Sequence, residues 1–219
     1  KLLLKILPFI LLGSFLSAQV YIPYRVGDKF GISDENGKLL VPAKFDKITI
    51  GNNNDFIGYN FEENAVKTSY ILKDKVIITN SDFTDFRFDQ PFIVGIKVND
   101  PDNFRFFNDQ RSEQTQQLFN EKGEKLLNGI YNTIAALEDD AKPSNNDEVL
   151  LLLYSTTTKY SVILYSKKKK SIIKTYIENS RDVDLDYKNF PQSLIVTYFG
   201  QNLSENKLSL TFQDGKIIS

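Results

Sequence analysis

Two groups of chemically able side chains stand out in this 219-residue chain: the alternating acids Asp182-Val183-Asp184-Leu185-Asp186 and the consecutive cations Lys167, Lys168, Lys169 and Lys170. On a strand, Asp182, Asp184 and Asp186 would share one face, where their repulsion is relieved only by water or a cation. An EF-hand loop begun at Asp182 would need Gly at its sixth position and Glu at its twelfth, and the chain has Tyr187 and Ser193 there. The acids therefore read as a solvated strand edge or loop, with an irregular calcium site as the alternative. Glu138-Asp139-Asp140 reads the same way. The four lysines read as an exposed hairpin tip that also discourages sheet-to-sheet association, the alternative being a contact for an anionic partner such as an acidic glycan or lipid headgroup.

The sequence has no His and no Cys. A Ser-His-Asp triad, a Cys nucleophile and the usual zinc and copper sites cannot be built from it. Catalysis would have to rest on carboxylates, Lys, Tyr or Arg, as in glycosidases that work with paired acids. Gly31 and Gly37 have no strand-to-helix context for a phosphate cradle and read as positions where the backbone needs freedom. The expectation is a non-enzyme with no cofactor and no metal.

The elements that would position these groups show themselves through an internal repeat. Gly37 superimposes on Gly123 at a gap-free offset of 86 residues, which carries Asp34, Leu40, Val41, Phe45, Asp46 and Ile48 onto Asn120, Leu126, Leu127, Tyr131, Asn132 and Ile134. Around Gly37, Lys29 to Ser33 alternates, Asp34-Glu35-Asn36-Gly37 is turn chemistry, and Leu39 to Val41 resumes an apolar strand, which together predict a hairpin. Pro42 lacks an N–H and should end the pairing or lie at an edge. Looser copies centre on Lys73-Asp74, on Lys159-Tyr160-Ser161-Val162 with the Lys167 to Lys170 turn, and on Lys207-Leu208-Ser209-Leu210 with Gly215. Five centres over 178 residues give units of about 45 residues, enough for four short strands each.

Lys29-Phe30-Gly31-Ile32, Asp34, Gly37-Lys38, Val41-Pro42 and Phe45-Asp46 follow, in order, the pattern of a known family, and this unit resembles those of the bacterial WG-repeat proteins. The name-giving Trp is Phe30 here, the chain has no Trp, and the Gly123 copy has Gln116-Gln117 in place of the aromatic-Gly pair. The resemblance covers about a tenth of the chain and implies β-repeats, without implying a ligand.

Phe56 to Tyr59, Phe92 to Val98, Val149 to Tyr154 and Leu194 to Phe199, rich in β-branched and aromatic residues, supply the further strands. No stretch keeps a helical period for three turns; the best candidate, Arg111 to Leu118, is polar enough to read as loop. Asn99 to Asn103 and Asp139 to Glu148 read as long inter-strand loops. The fold class is all-β: tandem antiparallel meander or hairpin repeats, closed like a propeller or stacked as an open superhelical array. A last unit that stops at Ile217-Ile218-Ser219 suggests truncation, or a final strand that pairs near Val20 to Tyr24 and closes a ring.

Residues 1–18 read as a cleaved signal segment: Lys1 and Lys5, then an apolar stretch from Ile6 to Leu16, then Ser17-Ala18 before Gln19. A membrane span would need roughly 20 apolar residues. That leaves residues 19–219 as one β-repeat domain with 25 basic and 28 acidic residues, a mild acidity that argues against nucleic-acid binding. With no disulfide available, burial must hold the fold, and 17 Phe and 11 Tyr are suited to filling the space between layers. The Phe45-Asp46 and Tyr131-Asn132 pairs read as a core aromatic beside a turn-capping acid or amide, the alternative being a recurring surface of stacking ring and polar neighbour.

The function expected is a non-catalytic exported protein that presents a binding or scaffolding surface to a protein or glycan partner, located in the periplasm, at the outer surface or outside the cell. The alternatives are a structural cell-envelope component without a dissociable ligand and a carboxylate-based glycoside hydrolase acting through Asp182, Asp184 and Asp186.

Overall fold

The structure is a computed structural model that describes residues 20–51, 53–89, 92–98, 114–136, 147–155, 159–189, 192–200, 204–213 and 216–218. Among these residues every regular element is a β-strand, paired antiparallel, and the strands form four stacked sheets, none closed into a barrel. The first sheet holds β1 (Tyr21–Val26), β2 (Lys29–Asp34) and β3 (Leu39–Phe45). The second holds β4 (Lys47–Ile50), β5 (Asp55–Glu62), β6 (Ala65–Leu72) and β7 (Lys75–Ser81). The third runs through β8 (Asp85–Asp89), β9 (Phe92–Val98), β10 (Gln114–Asn120), β11 (Tyr131–Ala136), β12 (Glu148–Ser155), β13 (Tyr160–Ser166) and β14 (Ser171–Ser180). The fourth holds β15 (Val183–Asp186), β16 (Ser193–Phe199), β17 (Glu205–Gln213) and β18 (Lys216–Ile217). In every sheet the strands lie in chain order, so each connection is local and the whole is a succession of meanders.

Successive side chains of a strand point to opposite sides, and in the inner sheets both sides are covered. Phe56 of β5 and Ile71 of β6 pack with Ile32, Val41 and Phe45 of the first sheet, whereas their chain neighbours Ile57 and Tyr70 pack with Phe86, Ile93 and Phe119 of the third. The third sheet folds back on itself, so that Phe92, Val94 and Leu118 meet Val149, Leu151, Leu153, Ile163 and Tyr165. Leu150, Val162, Leu164 and Ile177 then meet Leu194, Val196 and Leu210 of the fourth. Burial on both faces explains why Val149 to Leu153 is an unbroken apolar run rather than an alternation. Each such side chain stabilises the stack by roughly 1.5–3 kcal/mol.

The four apolar runs all lie in strands, β5, β9, β12 and β16. Pro42 lies inside β3, an edge strand, and Pro23 lies in β1 on the opposite edge of the same sheet, where a missing N–H is harmless. Gly37 and Gly123 have φ of 80° and 81°, the left-handed region that a side chain disfavours, and each donates its N–H to the carbonyl three residues earlier, Asp34 O and Asn120 O.

Three expectations are corrected. Gln114 to Leu118 is strand rather than loop or helix, while residues 111–113 lie outside the described set. Its glutamines are buried and take the place of a regular neighbour: Gln117 Nε2 donates to Leu127 O (2.7 Å) and Gln116 Oε1 accepts from Ile134 N (2.9 Å). Side-chain amides thereby satisfy backbone groups where the chain from Glu121 to Ile130 makes only an isolated bridge, Phe119 to Lys125. Gly31 is required by close approach rather than by φ, because a Cβ there would press on Val41 O and Ala43 N as β3 bulges past. Ring closure through β18 is not seen: β18 pairs with β17, Ile217 packs on the cluster around Leu194, and β1 pairs with β2. Residues 1–19, Asn99 to Asn103, Glu138 to Asp140 and Gly215, all named above from sequence, lie outside the described residues. Among the described residues no helix is long and apolar enough to cross a membrane.

Candidate functional site

Where the first sheet hands over to the second, the chain passes through Asp46, and a groove of about 590 Å³ opens beside it. The first sheet contributes Lys29, Lys44 and Phe45 to its lining; the second contributes Asn60, Phe61 and Glu62 from the end of β5 and Ser69, Thr79 and Asn80 from β6 and β7. Asp46 fixes the geometry. Its Oδ1 accepts from Lys29 Nζ at 2.6 Å and its Oδ2 from Phe61 N at 3.0 Å, while its own N–H donates to Tyr59 O at 2.8 Å. One carboxylate thus joins the start of β2 to the end of β5. The hydrogen bonds from Lys29 and from the Phe61 amide hold the Asp46 carboxyl below the ordinary carboxylate value.

Phe45 is fully buried, as its core assignment requires, and Lys44 lies over its ring at 5.3 Å from the centroid. The acid beside it does not cap a turn through its own backbone; it clamps two sheets. Tyr131 is half-buried against the core of the third sheet, and Asn132 Nδ2 donates to Gln114 O (3.3 Å), again a tie between strands. The lysine half of the clamp recurs one sheet on: Lys67 Nζ at the start of the Lys67-Thr68-Ser69-Tyr70 segment pairs with Asp82 Oδ1. That pairing lowers the Asp82 carboxyl and raises the Lys67 ammonium.

The walls of the groove owe their shape to a bulge. Between Thr68 and Tyr70 the β6–β7 register slips, Asn80 takes φ of 48°, and its N–H donates to Ser69 Oγ at 3.3 Å. The same device reappears in the third sheet, where Asn179 has φ of 54° and donates to Ser161 Oγ at 3.1 Å. Gly31, Ser69 and Ser161 are the small residues that let the next strand bulge past.

Of the residues singled out from sequence, Lys167 to Lys170 form the turn between β13 and β14, with Lys168, Lys169 and Lys170 exposed. The turn is held from outside: Asp147 O accepts from Lys167 N (2.7 Å), Asp147 Oδ1 from Lys168 N (2.6 Å), and Glu121 Oε2 from Lys170 Nζ (2.5 Å). Asp184 and Asp186 lie on β15, the edge of the fourth sheet, alternating with Val183 and Leu185, which pack inward. Asp182 Oδ1 accepts from Val183 N and Asp186 Oδ1 from Lys188 N, and among the described residues no three potential ligands are grouped to hold a metal ion. Neither the lysines nor the aspartates line the groove. Asn60, Phe61, Glu62 and Asn80 were missed from sequence. The run Tyr59-Asn60-Phe61-Glu62, in which polar residues interrupt the apolar β5, is the one local signal for the first three, and nothing local marks Asn80.

No family model matches the chain. No curated protein matches it. A solved structure from a study of two prolyl endopeptidases and their inter-domain dynamics aligns over 90% of this chain and 29% of that chain, at 9% identity with a TM-score of 0.30. The chain therefore spans under a third of that protein's length, and an overlay so loose leaves the architecture to be read from this chain's own strands.

Proposed function

We propose that the chain is a non-catalytic exported β-repeat protein, divergent from the WG-repeat type, that engages a protein or glycan partner through the groove between its first two sheets. In this reading the units are five sets of up to four strands, of about 45 residues each, stacked as an open superhelical array. The matching turns at Gly37 and Gly123, the paired Lys–Asp clamps and the repeated bulge at Gly31, Ser69 and Ser161 support it. The observation that carries the binding role is the groove itself, where polar side chains of the first two sheets converge on a clamped backbone.

The test is retention of labelled protein on a glycan array and on immobilised envelope extract, run beside the variant Lys44→Ala/Asn60→Ala/Asn80→Ala. Retention of the parent and loss in the variant would support the groove, and equal retention would place the interface elsewhere. No retention at all would favour the second reading, a structural envelope component. That second reading draws on the fact that the recurring features, clamps, turns and bulges, all have internal uses.

A further inference from the structure

The two ends of the sheet stack differ in character. On the outer side of the first sheet, strand pairing sets Ile22 opposite Ser33, Tyr24 opposite Gly31 and Val26 opposite Lys29, with Leu39 of β3 opposite Ser33 in turn. Ile22, Val26 and Leu39 keep 42%, 62% and 62% of their surface exposed, and Val20, one step along the same alternation, keeps 52%. The one charged residue that β1 and β2 place on this side, Lys29, is tied to Asp46. The outer side of the fourth sheet is polar by comparison: Asp184 pairs with Thr197 and Thr197 with Lys207, while Asp186 pairs with Ile195 and Ile195 with Ser209.

Aligned on the bulge residues Gly31 and Ser69, the same positions of the second sheet are covered by a layer. Phe56 opposite Ile71 stands where the first sheet has Ile22 opposite Ser33, and Gly58 opposite Ser69 stands where it has Tyr24 opposite Gly31. A Cβ on Gly58 would strike the Phe45 ring of the first sheet, so Gly58 is the socket of that contact. The outer side of the first sheet therefore continues a series of sheet-on-sheet contacts, but with its socket filled, because the Tyr24 ring lies across Gly31.

We infer that this face is a dimer interface, in which the first sheets of two copies pack outer side to outer side about a two-fold axis. Head-to-tail stacking would press the apolar end onto Asp184, Asp186 and Lys207, stripping water from those charges, and would find no socket beside Tyr24. Strand addition at the open edge of β1 is disfavoured by Pro23. A second copy of the same end buries Val20, Ile22, Val26 and Leu39 without burying a charge, and a two-fold contact closes at two chains.

The experiment is sedimentation velocity on the protein across the micromolar range, beside Ile22→Lys/Val26→Lys and Ile22→Asp/Val26→Asp. The parent should sediment as two chains. Each charged variant should sediment as one, its self-association weakened roughly a hundredfold or more, and an equimolar mixture of the two should recover the two-chain species, because a two-fold contact sets the same patch against itself. Both positions are exposed, so an unchanged melting temperature verifies the fold. A parent that stays a single chain throughout overturns the inference and leaves the face to residues 1–19 or to a different protein. A dimer that survives both charged variants, or an assembly that grows past two chains with concentration, overturns it as well. None of these outcomes bears on the groove, whose lining lies between the first and second sheets.

Discussion

Asp34 and Asn120, 86 residues apart, organise the same turn: Asp34 Oδ1 accepts from Asn36 N (3.0 Å) and Lys38 N (2.8 Å), and Asn120 Oδ1 accepts from Lys122 N (2.9 Å) and Glu124 N (3.0 Å). The backbone agrees, with Asp34 N donating to Lys38 O at 3.0 Å and Asn120 N to Glu124 O at 2.9 Å. A side-chain oxygen that caps two amides in place of water is why Asp or Asn is needed there.

Asp34→Ala and Asn120→Ala should each destabilise the protein by about 1–2 kcal/mol, since two hydrogen bonds worth about 0.5–1.5 kcal/mol apiece are lost. Asp34→Asn should stay within about 0.5 kcal/mol, because the accepting oxygen survives. Urea denaturation of the three variants checks both statements.

Gly31→Ala should be more damaging than Gly37→Ala. The first forces a Cβ against the backbone of β3, with Ala43 N at 2.7 Å, and overpacking of this kind costs about 1–3 kcal/mol. At Gly37 an added Cβ meets nothing within 4 Å, and the penalty is the left-handed φ alone, about 1 kcal/mol. Thermal melts of the two variants give the order.

The Lys29–Asp46 and Lys67–Asp82 clamps predict a pH dependence with a definite sign. Both carboxyls titrate below the ordinary 3.8 when folded, chiefly through the hydrogen bond from their lysine. Their contribution is therefore complete above the unfolded value and lost as pH falls through the lower, folded one. Between about pH 4 and pH 2 the midpoint of denaturation should fall less steeply in Asp46→Asn and Asp82→Asn than in the parent protein. An identical slope in all three would contradict the clamps.

Tyr165 is buried, its ring edge-on to Phe92 at 5.8 Å, and among the described residues its hydroxyl has no hydrogen-bond partner. Burial, and after it the nearby Glu121, raises its titration above the ordinary value. Tyr165→Phe removes an unsatisfied oxygen and should leave the protein as stable or more stable, by up to about 1–2 kcal/mol. A clear loss of stability would mean that the hydroxyl has a partner.

Calcium should leave the melting temperature unchanged, in the parent and in Asp184→Asn alike, because two of the three aspartates are engaged with backbone amides of their own segment. A calcium-dependent rise lost in the variant would restore the cation site.

The strands were legible because their signals are local. Val149 to Tyr154 is a bounded apolar run whichever sheet it joins, and Asn36-Gly37 announces a turn without help from elsewhere. The groove was not legible, because Lys29, Asp46 and Phe61 meet only once two sheets have stacked. Gln116 and Gln117 misled for a related reason. Polarity inside a strand reads as loop until the carbonyl of Leu127 and the amide of Ile134, which those side chains satisfy, are in view. Asp46 was half legible: its aromatic neighbour was assigned to the core, but a carboxylate that spans 15 residues to reach Phe61 N leaves no mark in the local sequence.

The outward acids of β15 have an effect on growth of the stack. The inner sheets offer oily faces on both sides, an arrangement that by itself would invite further layers. Seating another layer against Asp184 and Asp186 would strip water from both charges, so the outer side of β15 resists the burial that the inner sheets accept on both faces.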